Sequence, residues 1–89
     1  MKKPRELERM LKGVANHRRI EILLLLARKP DLSLTEIAAE LKINFKTAHE
    51  HVRRLALAGL IIKRNQGAAV RHTLSTRGDI ILKFLRTLE

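Results

Sequence analysis

The sequence contains no cysteine, no tryptophan and no tyrosine, and only two phenylalanines. No disulfide frame, thiolate metal site or cysteine nucleophile is therefore available. The lack of cysteine fits a reducing compartment, and a cytoplasmic location is expected. With aromatics at 2% and hydrophobic residues at 45%, the core has to be built from Leu, Ile, Val and Ala, which suits packed helices. Long apolar runs are missing too. The longest, Ile20–Ala27 (IEILLLLA), is too short to span a bilayer, and Glu21 interrupts it. The N-terminal stretch MKKPRELERM is charged and is followed by no apolar signal core, so neither export nor membrane association is expected. There is no internal repeat, low-complexity tract or linker, and residues 1–89 read as one small domain.

Catalytic patterns are equally scarce. The sequence has no Gly-rich phosphate loop, no paired carboxylates for acid–base work and no motif for an activated serine, so an enzyme is not expected. His17, His49, His51 and His72 lack metal-ligand spacing. His49-Glu50-His51 is not the HExxH zinc pattern, because Arg53 takes the place of the second histidine. The C-terminal segment has Asp79 and Glu89 but no histidine, so neither metal nor cofactor is expected.

Acidic residues are few: nine Asp and Glu stand against 19 Lys and Arg, for a net charge of +10. Such a balance suits a polyanion, nucleic acid above all and an anionic membrane surface less often. The plain alternative is a basic solvated surface.

What is present is helical periodicity. Leu7, Met10, Leu11 and Val14 recur at steps of three and four, which predicts a first helix over 5–14. Asn16 suits the N-cap of a second helix reaching about Lys29. Its apolar residues cover most of the circumference, so it should be the buried centre, with Pro30-Asp31 as its stop. Ser33 and Glu36 form a capping box for a third helix with Ile37, Ala38 and Leu41 inward; small Ala39 would let a neighbouring helix approach. Lys42, Ile43 and Asn44 make a turn, and Asn44 suits the N-cap of a fourth helix from Phe45 to about Ala58. Ala48, Val52, Leu55 and Gly59 share one stripe of it. The opposite face carries Lys46, Glu50, Arg53 and Leu57, flanked by Thr47 and Arg54 on one side and His49 on the other. Two short amphipathic helices with a tight polar break and a basic free face are the layout of a helix-turn-helix.

After Gly59 the period changes. Segments 60–64 (LIIKR) and 70–74 (VRHTL) read as strands joined by 65–69. Ser75 then caps a last helix to about Leu88, whose Ile80, Ile81, Leu82, Phe84, Leu85 and Leu88 cover more than one face. A terminal helix needs one apolar face to dock. The surplus offers a second surface to another chain, with the first helix as natural co-contributor.

Four stretches carry a resemblance to a known family. Ala15–Leu23 resembles an opening A-[DN]-x-x-R-x-x-I-L, and Leu34–Leu41 resembles [LT]-x-E-[IL]-A-x-x-L. Asn44–Ile61 resembles N-[YF]-K-T-[AV]-x-x-H-[LV]-x-x-L-x-x-x-G-L-[IV], and Leu74–Gly78 resembles L-[ST]-x-x-G. Together they resemble the ArsR-like winged helix-turn-helix transcription regulators, in an archaeal-type form. The resemblance implies a mainly α fold with a small β-hairpin: four helices, a two-stranded wing and a fifth helix. It implies a homodimer joined through the first and last helices, with Leu7, Met10, Leu11, Ile81, Phe84, Leu85 and Leu88 as interface residues. It also implies double-stranded DNA as partner, with a recognition helix at about 45–58 in the major groove and the wing at about 60–74 on the backbone or minor groove.

On the recognition helix, Lys46, Arg53 and Arg54 are candidates for guanine or phosphate contacts; the alternative is a solvated face with Lys46–Glu50 and Glu50–Arg54 ion pairs. Asn44 either bonds an adenine edge or phosphate, or serves as a cap. Phe45 either touches a thymine methyl or packs the turn. Thr47 and His49, beside this face, are further candidates for DNA contact. Glu50 either accepts from a cytosine amine or orients Arg54. His51 is read as either a contact or a half-buried packing residue. Arg64, Gln66 and Arg71 are the wing candidates, whereas Asn65 shapes the turn. The expected function is a sequence-specific regulator. The alternatives are a nonspecific or architectural nucleic-acid binder and a protein-interaction winged helix within a larger assembly.

Overall fold

A computed structural model describes all residues, 1–89. The elements run α1 (Pro4–Val14), α2 (His17–Arg28), α3 (Leu34–Leu41), α4 (Phe45–Leu57), β1 (Ile61–Gln66), β2 (Ala69–Leu74) and α5 (Thr76–Arg86).

Local chemistry sets most of the boundaries. Pro4 opens α1, where its missing N–H costs nothing. The Asn16 side chain accepts from the backbone N–H of Arg18 at 2.9 Å and of Arg19 at 3.3 Å, capping α2. The Ser33–Glu36 box forms in both directions: Glu36 N–H donates to Ser33 Oγ at 3.1 Å and Ser33 N–H to Glu36 Oε1 at 2.8 Å. Ser75 Oγ accepts from Gly78 N–H at 2.9 Å at the start of α5. The end of α4 is a Schellman turn. Gly59 adopts φ 75°, its N–H donates to Ala56 O at 3.0 Å, and Leu60 N–H donates to Leu55 O at 2.9 Å.

α2 is the central element, packed against α1, α3, α4, α5 and β2. Its core residues are Ile22, Leu23, Leu25 and Leu26, joined by Ile37, Val52, Leu55, Leu60 and Leu82. The expectation that α2 is buried nearly all round is corrected on one side, where Leu24 is 43% exposed and Ala27 faces solvent. Ala39 is likewise exposed; Ala38 and Ala48 are the small residues buried on the helix-turn-helix pair.

The hairpin is longer than expected. β1 and β2 pair antiparallel from Ile61↔Leu74 to Gln66↔Ala69, so Asn65, Gln66 and Ala69 belong to the ladder rather than a loop. The turn is only Gly67-Ala68. Gly67 takes φ 62° as first central residue, the backbone of a tight II′ turn. Leu32 adds a one-residue bridge to β2, with Leu32 N–H to His72 O at 3.2 Å and His72 N–H to Leu32 O at 2.8 Å. The His72 ring is buried behind it, with Nδ1 2.9 Å from Leu32 O. The base of the wing is thus fixed to the α2–α3 connection.

Candidate nucleic-acid interface

The turn between α3 and α4 sets the orientation of the exposed helix face. Lys42 adopts the left-handed conformation (φ 54°), and Ile43 N–H reaches back to Ala38 O at 3.0 Å. Asn44 then caps α4, its Oδ1 accepting from Lys46 N–H at 2.7 Å and Thr47 N–H at 3.4 Å. Its carbonyl oxygen is committed to the cap, which leaves the amide nitrogen for an outside partner. Ala48, Val52 and Leu55 are buried, so the other face of α4 points outward.

On that face Phe45, Lys46, Thr47 and His49 are exposed, and Lys46 pairs with no acid. Glu50 is engaged by two arginines through three hydrogen bonds. Its Oε1 accepts from Arg53 Nη2 at 2.8 Å and from Arg54 Nε at 3.0 Å, and its Oε2 from Arg53 Nε at 3.1 Å. These bonds, Arg53's first and Arg54's next, hold the Glu50 carboxyl down to about 2 and raise the Arg53 guanidinium above its ordinary value. The carboxylate therefore orders two arginines rather than one, and the Lys46–Glu50 pair weighed from the sequence is replaced by Arg53–Glu50.

His51 lies off this strip. It is half-buried, and its Nδ1 accepts from Arg19 Nε of α2 at 3.2 Å. Burial, and then the Arg19 charge, holds its pKa below the usual histidine value. Packing between helices describes it better than base reading.

The wing arginines face each other across the ladder, Arg64 opposite Arg71. Both are held by acids of the preceding segment: Arg64 pairs with Asp31, and Arg71 with Glu36 at 2.6 Å. Arg71 also reaches Asp31 O at 3.4 Å. The Ser33 cap hydrogen bonds, with Arg71 beside them, lower the Glu36 pKa. Gln66 is exposed at the tip.

Sequence reasoning missed Lys63. It is exposed on β1, and with Ser33, Thr35, Phe45, His49 and Val70 it lines a cleft of about 370 Å³ between the starts of α3 and α4 and the wing. Its position in a basic strand beside Arg64 was the available signal. The cleft joins the α4 strip to the wing as one surface with two polar helix starts on it. No three His, Asp or Glu side chains converge as a metal site, and no helix is long and apolar enough to cross a membrane.

The predicted interface residues divide between two settings. Leu11, Phe84 and Leu88 are 53%, 53% and 67% exposed, and Ile80, outside the predicted set, is 60% exposed. Leu7 and Met10 are half-buried outside the core cluster, whereas Ile81 and Leu85 pack against it. α5 ends at Arg86, two residues short of the expected Leu88, and the exposed line is therefore Ile80 and Phe84 on α5 continued by Leu88 in the turn that follows it.

Comparison with known proteins supports this layout. A family model described as winged helix-turn-helix DNA-binding matches residues 16–62, just over half of the chain. A search of curated protein sequences found no match. Among solved structures, the chain is similar to a homodimeric winged helix-turn-helix DNA-binding domain (fragment 1–100) from Mycobacterium bovis, described as a possible ArsR-family transcriptional regulator. The TM-score is 0.85 at 25% identity, covering 93% of this chain and 77% of that one. HlyU from Vibrio cholerae N16961 superposes with TM-score 0.83 at 30% identity, covering 99% of this chain and 97% of that one. A MarR family protein from Bacillus stearothermophilus shares the fold, with TM-score 0.77 at 21% identity over 93% of this chain and 59% of that one. The chain belongs to the winged helix-turn-helix DNA-binding family.

Proposed function

We propose that this chain is a sequence-specific regulator of transcription of the ArsR-like, archaeal-type group, binding double-stranded DNA as a homodimer. Residues 1–89 act as one DNA-binding domain. α4 enters the major groove, where Lys46, Thr47, His49 and the Glu50-ordered Arg53 and Arg54 meet bases and phosphates. Asn44 and Phe45 meet the DNA at the tip of the helix. The wing follows the backbone or minor groove through Arg64, Gln66 and Arg71, with Lys63 beside them.

The observation that carries this reading is the division of α4. One face is buried through Ala48, Val52 and Leu55, while the opposite face is exposed and ends in donors and acceptors. Homodimeric assembly is supported by the Ile80–Phe84–Leu88 line and by α1, whose Leu7, Met10 and Leu11 lie outside the core. The similar Mycobacterium bovis domain is itself homodimeric. Two copies would set their recognition helices about 34–36 Å apart and read an inverted repeat.

Selection of bound duplexes from a random library tests the proposal. Enrichment of an inverted repeat supports it. Equal recovery of all sequences with a steep salt dependence shows instead a nonspecific binder held by its net charge of +10.

A further inference from the structure

A second basic surface lies behind the recognition strip, where α1 crosses α4. The crossing is close because position 13 is glycine: a Cβ there would collide with the Cβ of Ala58. On α1, Arg9 stands one turn before Gly13 and Lys12 directly precedes it; on α4, Arg54 and Leu57 stand in the same two relations to Ala58. Arg19 of α2 closes one end. Together they line a cleft of about 300 Å³ that contains four cationic side chains and no acidic one.

The acids near it sit on the rim. Glu8 is 4.0 Å from Lys12, with both side chains mostly exposed, and Glu50 bonds Arg54 from the recognition side. Arg9 and Arg19 pair with no carboxylate. Arg19 Nη1 donates to Lys12 O and Gly13 O at 3.3 Å each, and its Nε to His51. It thereby covers the carbonyls at the negative end of α1, which would otherwise repel an anion. Its Nη2 makes no hydrogen bond within the chain and is free to donate. Four like charges around one cleft repel one another, and an anion between them relieves that repulsion. The lining is too polar for an apolar small molecule. Forked guanidinium donors match the oxygens of a phosphate.

We propose that the α1–α4 cleft binds a phosphate group, with Arg9, Lys12, Arg19 and Arg54 as its ligands. The phosphate comes from one of two sources. One is a DNA backbone phosphate beside the groove that α4 enters, in which case the inference rests on the DNA reading above. The other is a free phosphoanhydride, in which case it stands without that reading.

The test compares Arg9→Ala/Lys12→Ala with a control, Arg28→Ala/Lys83→Ala, that removes the same charge from exposed positions elsewhere. Duplex binding is measured by anisotropy across a salt series. Binding of sodium pyrophosphate is followed through the backbone amide shift of Gly13. If the source is DNA, the cleft variant loses about two units of salt slope and roughly tenfold in affinity near 0.1 M salt, while the control changes little. If the source is a free phosphoanhydride, the two variants bind duplex alike, and pyrophosphate shifts Gly13 in the wild type and the control but not in the cleft variant. The proposal is overturned if duplex binding is the same for both variants and pyrophosphate leaves Gly13 unmoved or moves it equally in all three proteins. Should the wild type bind no duplex, the DNA reading fails and the pyrophosphate arm alone decides the cleft.

Discussion

Arg71 on β2 meets the Glu36 carboxylate in the first turn of α3 at 2.6 Å, tying the wing to the helix before the recognition helix. Arg64, its partner across the hairpin, is tied to Asp31 in the same way. Both wing arginines predicted to touch DNA are therefore occupied by acids in the free protein. In the proposed complex a phosphate would have to compete for each of them, so that wing contact would replace an intramolecular ion pair rather than simply add one.

Neutralising those acids should therefore strengthen DNA binding. Glu36→Gln retains a residue able to complete the capping box, so α3 keeps its start. Exposed pairs of this kind contribute little to stability. Expected is a several-fold gain in affinity at low salt, with thermal stability nearly unchanged. Titrations of the wild type, Glu36→Gln and Asp31→Asn read it directly; unchanged or weaker binding in both variants would remove the competition.

Glu50 poses a different question, because one carboxylate orders two arginines on the reading face. With its carboxyl held down to about 2, it is ionised throughout the working pH range, and the pairs are lost only as pH falls from the ordinary 4.5 toward that value. The triad should therefore give no pH dependence of DNA binding between pH 5 and 8. Glu50→Gln frees Arg53 and Arg54 to follow phosphates, so affinity for random duplex should rise while the ratio of selected to random affinity falls. Measuring both affinities at one salt concentration checks this, and a preserved ratio would mean that Glu50 neither reads nor positions.

Two histidines, the buried His72 and the half-buried His51, give the molecule its expected acid sensitivity. Burial, the larger cause for each, lowers the pKa of His51 and His72 below the usual 6.5. The unfolded chain then binds more protons than the folded one in the interval between the two values, so stability rises with pH there. It is complete above about 6.5 and is lost as pH falls through the lowered folded values. Thermal melts from pH 7.5 to 5 should show the midpoint dropping by several degrees, and His72→Asn should flatten that drop. A flat wild-type profile would contradict the lowered pKa of both rings.

Features written as short-range patterns were legible in the sequence. The Ser33–Glu36 box, the Asn16 and Asn44 caps and the Gly59 stop are local, and each formed at its expected place. The solvent-facing strip of α4 followed from its period alone. Interactions between segments distant in sequence were not legible. Nothing local says that Arg19 reaches His51, that Asp31 holds Arg64, or that Leu32 bridges His72, because all three depend on how α2 and the wing come together. The hairpin ladder was underestimated because Asn65, Gln66 and Ala69 are poor strand formers, and pairing across the II′ turn overrides that preference. Lys42 has the left-handed conformation that favours glycine, so composition did not mark it.

Gly78 shows how closely α5 approaches the base of the wing. A Cβ there would run into the backbone carbonyl of Leu60 and press on Leu74 Cδ2 at 3.3 Å. Leu60 O already accepts from Ser75 N–H at 3.1 Å, so the carbonyl cannot withdraw without breaking that bond. Gly78→Ala should destabilise the fold by about 1–3 kcal/mol, the range for overpacking a filled site. In a chain this short that lowers the melting midpoint by at least several degrees. An unaltered midpoint would show that α5 can shift away from β1 without loss.

The proposed assembly rests on the Ile80–Phe84–Leu88 line, which lies outside the core with each residue more than half exposed. Phe84 is 53% exposed, so replacing it should leave the monomer folded. Phe84→Glu places a charge in the middle of any interface built from that line, at a cost that one apolar stripe cannot offset. Light scattering at micromolar concentration should give a dimer mass for the wild type and a monomer mass for Phe84→Glu, with matching circular dichroism. Because a dimer binds both halves of an inverted repeat through one association, the variant should also lose most of its affinity for a full site while keeping its weak affinity for a half-site. A wild type that already has monomer mass, or a variant that remains a dimer, would move the interface away from α5. Equal affinity of wild type and variant for the full site would separate DNA recognition from dimerisation altogether.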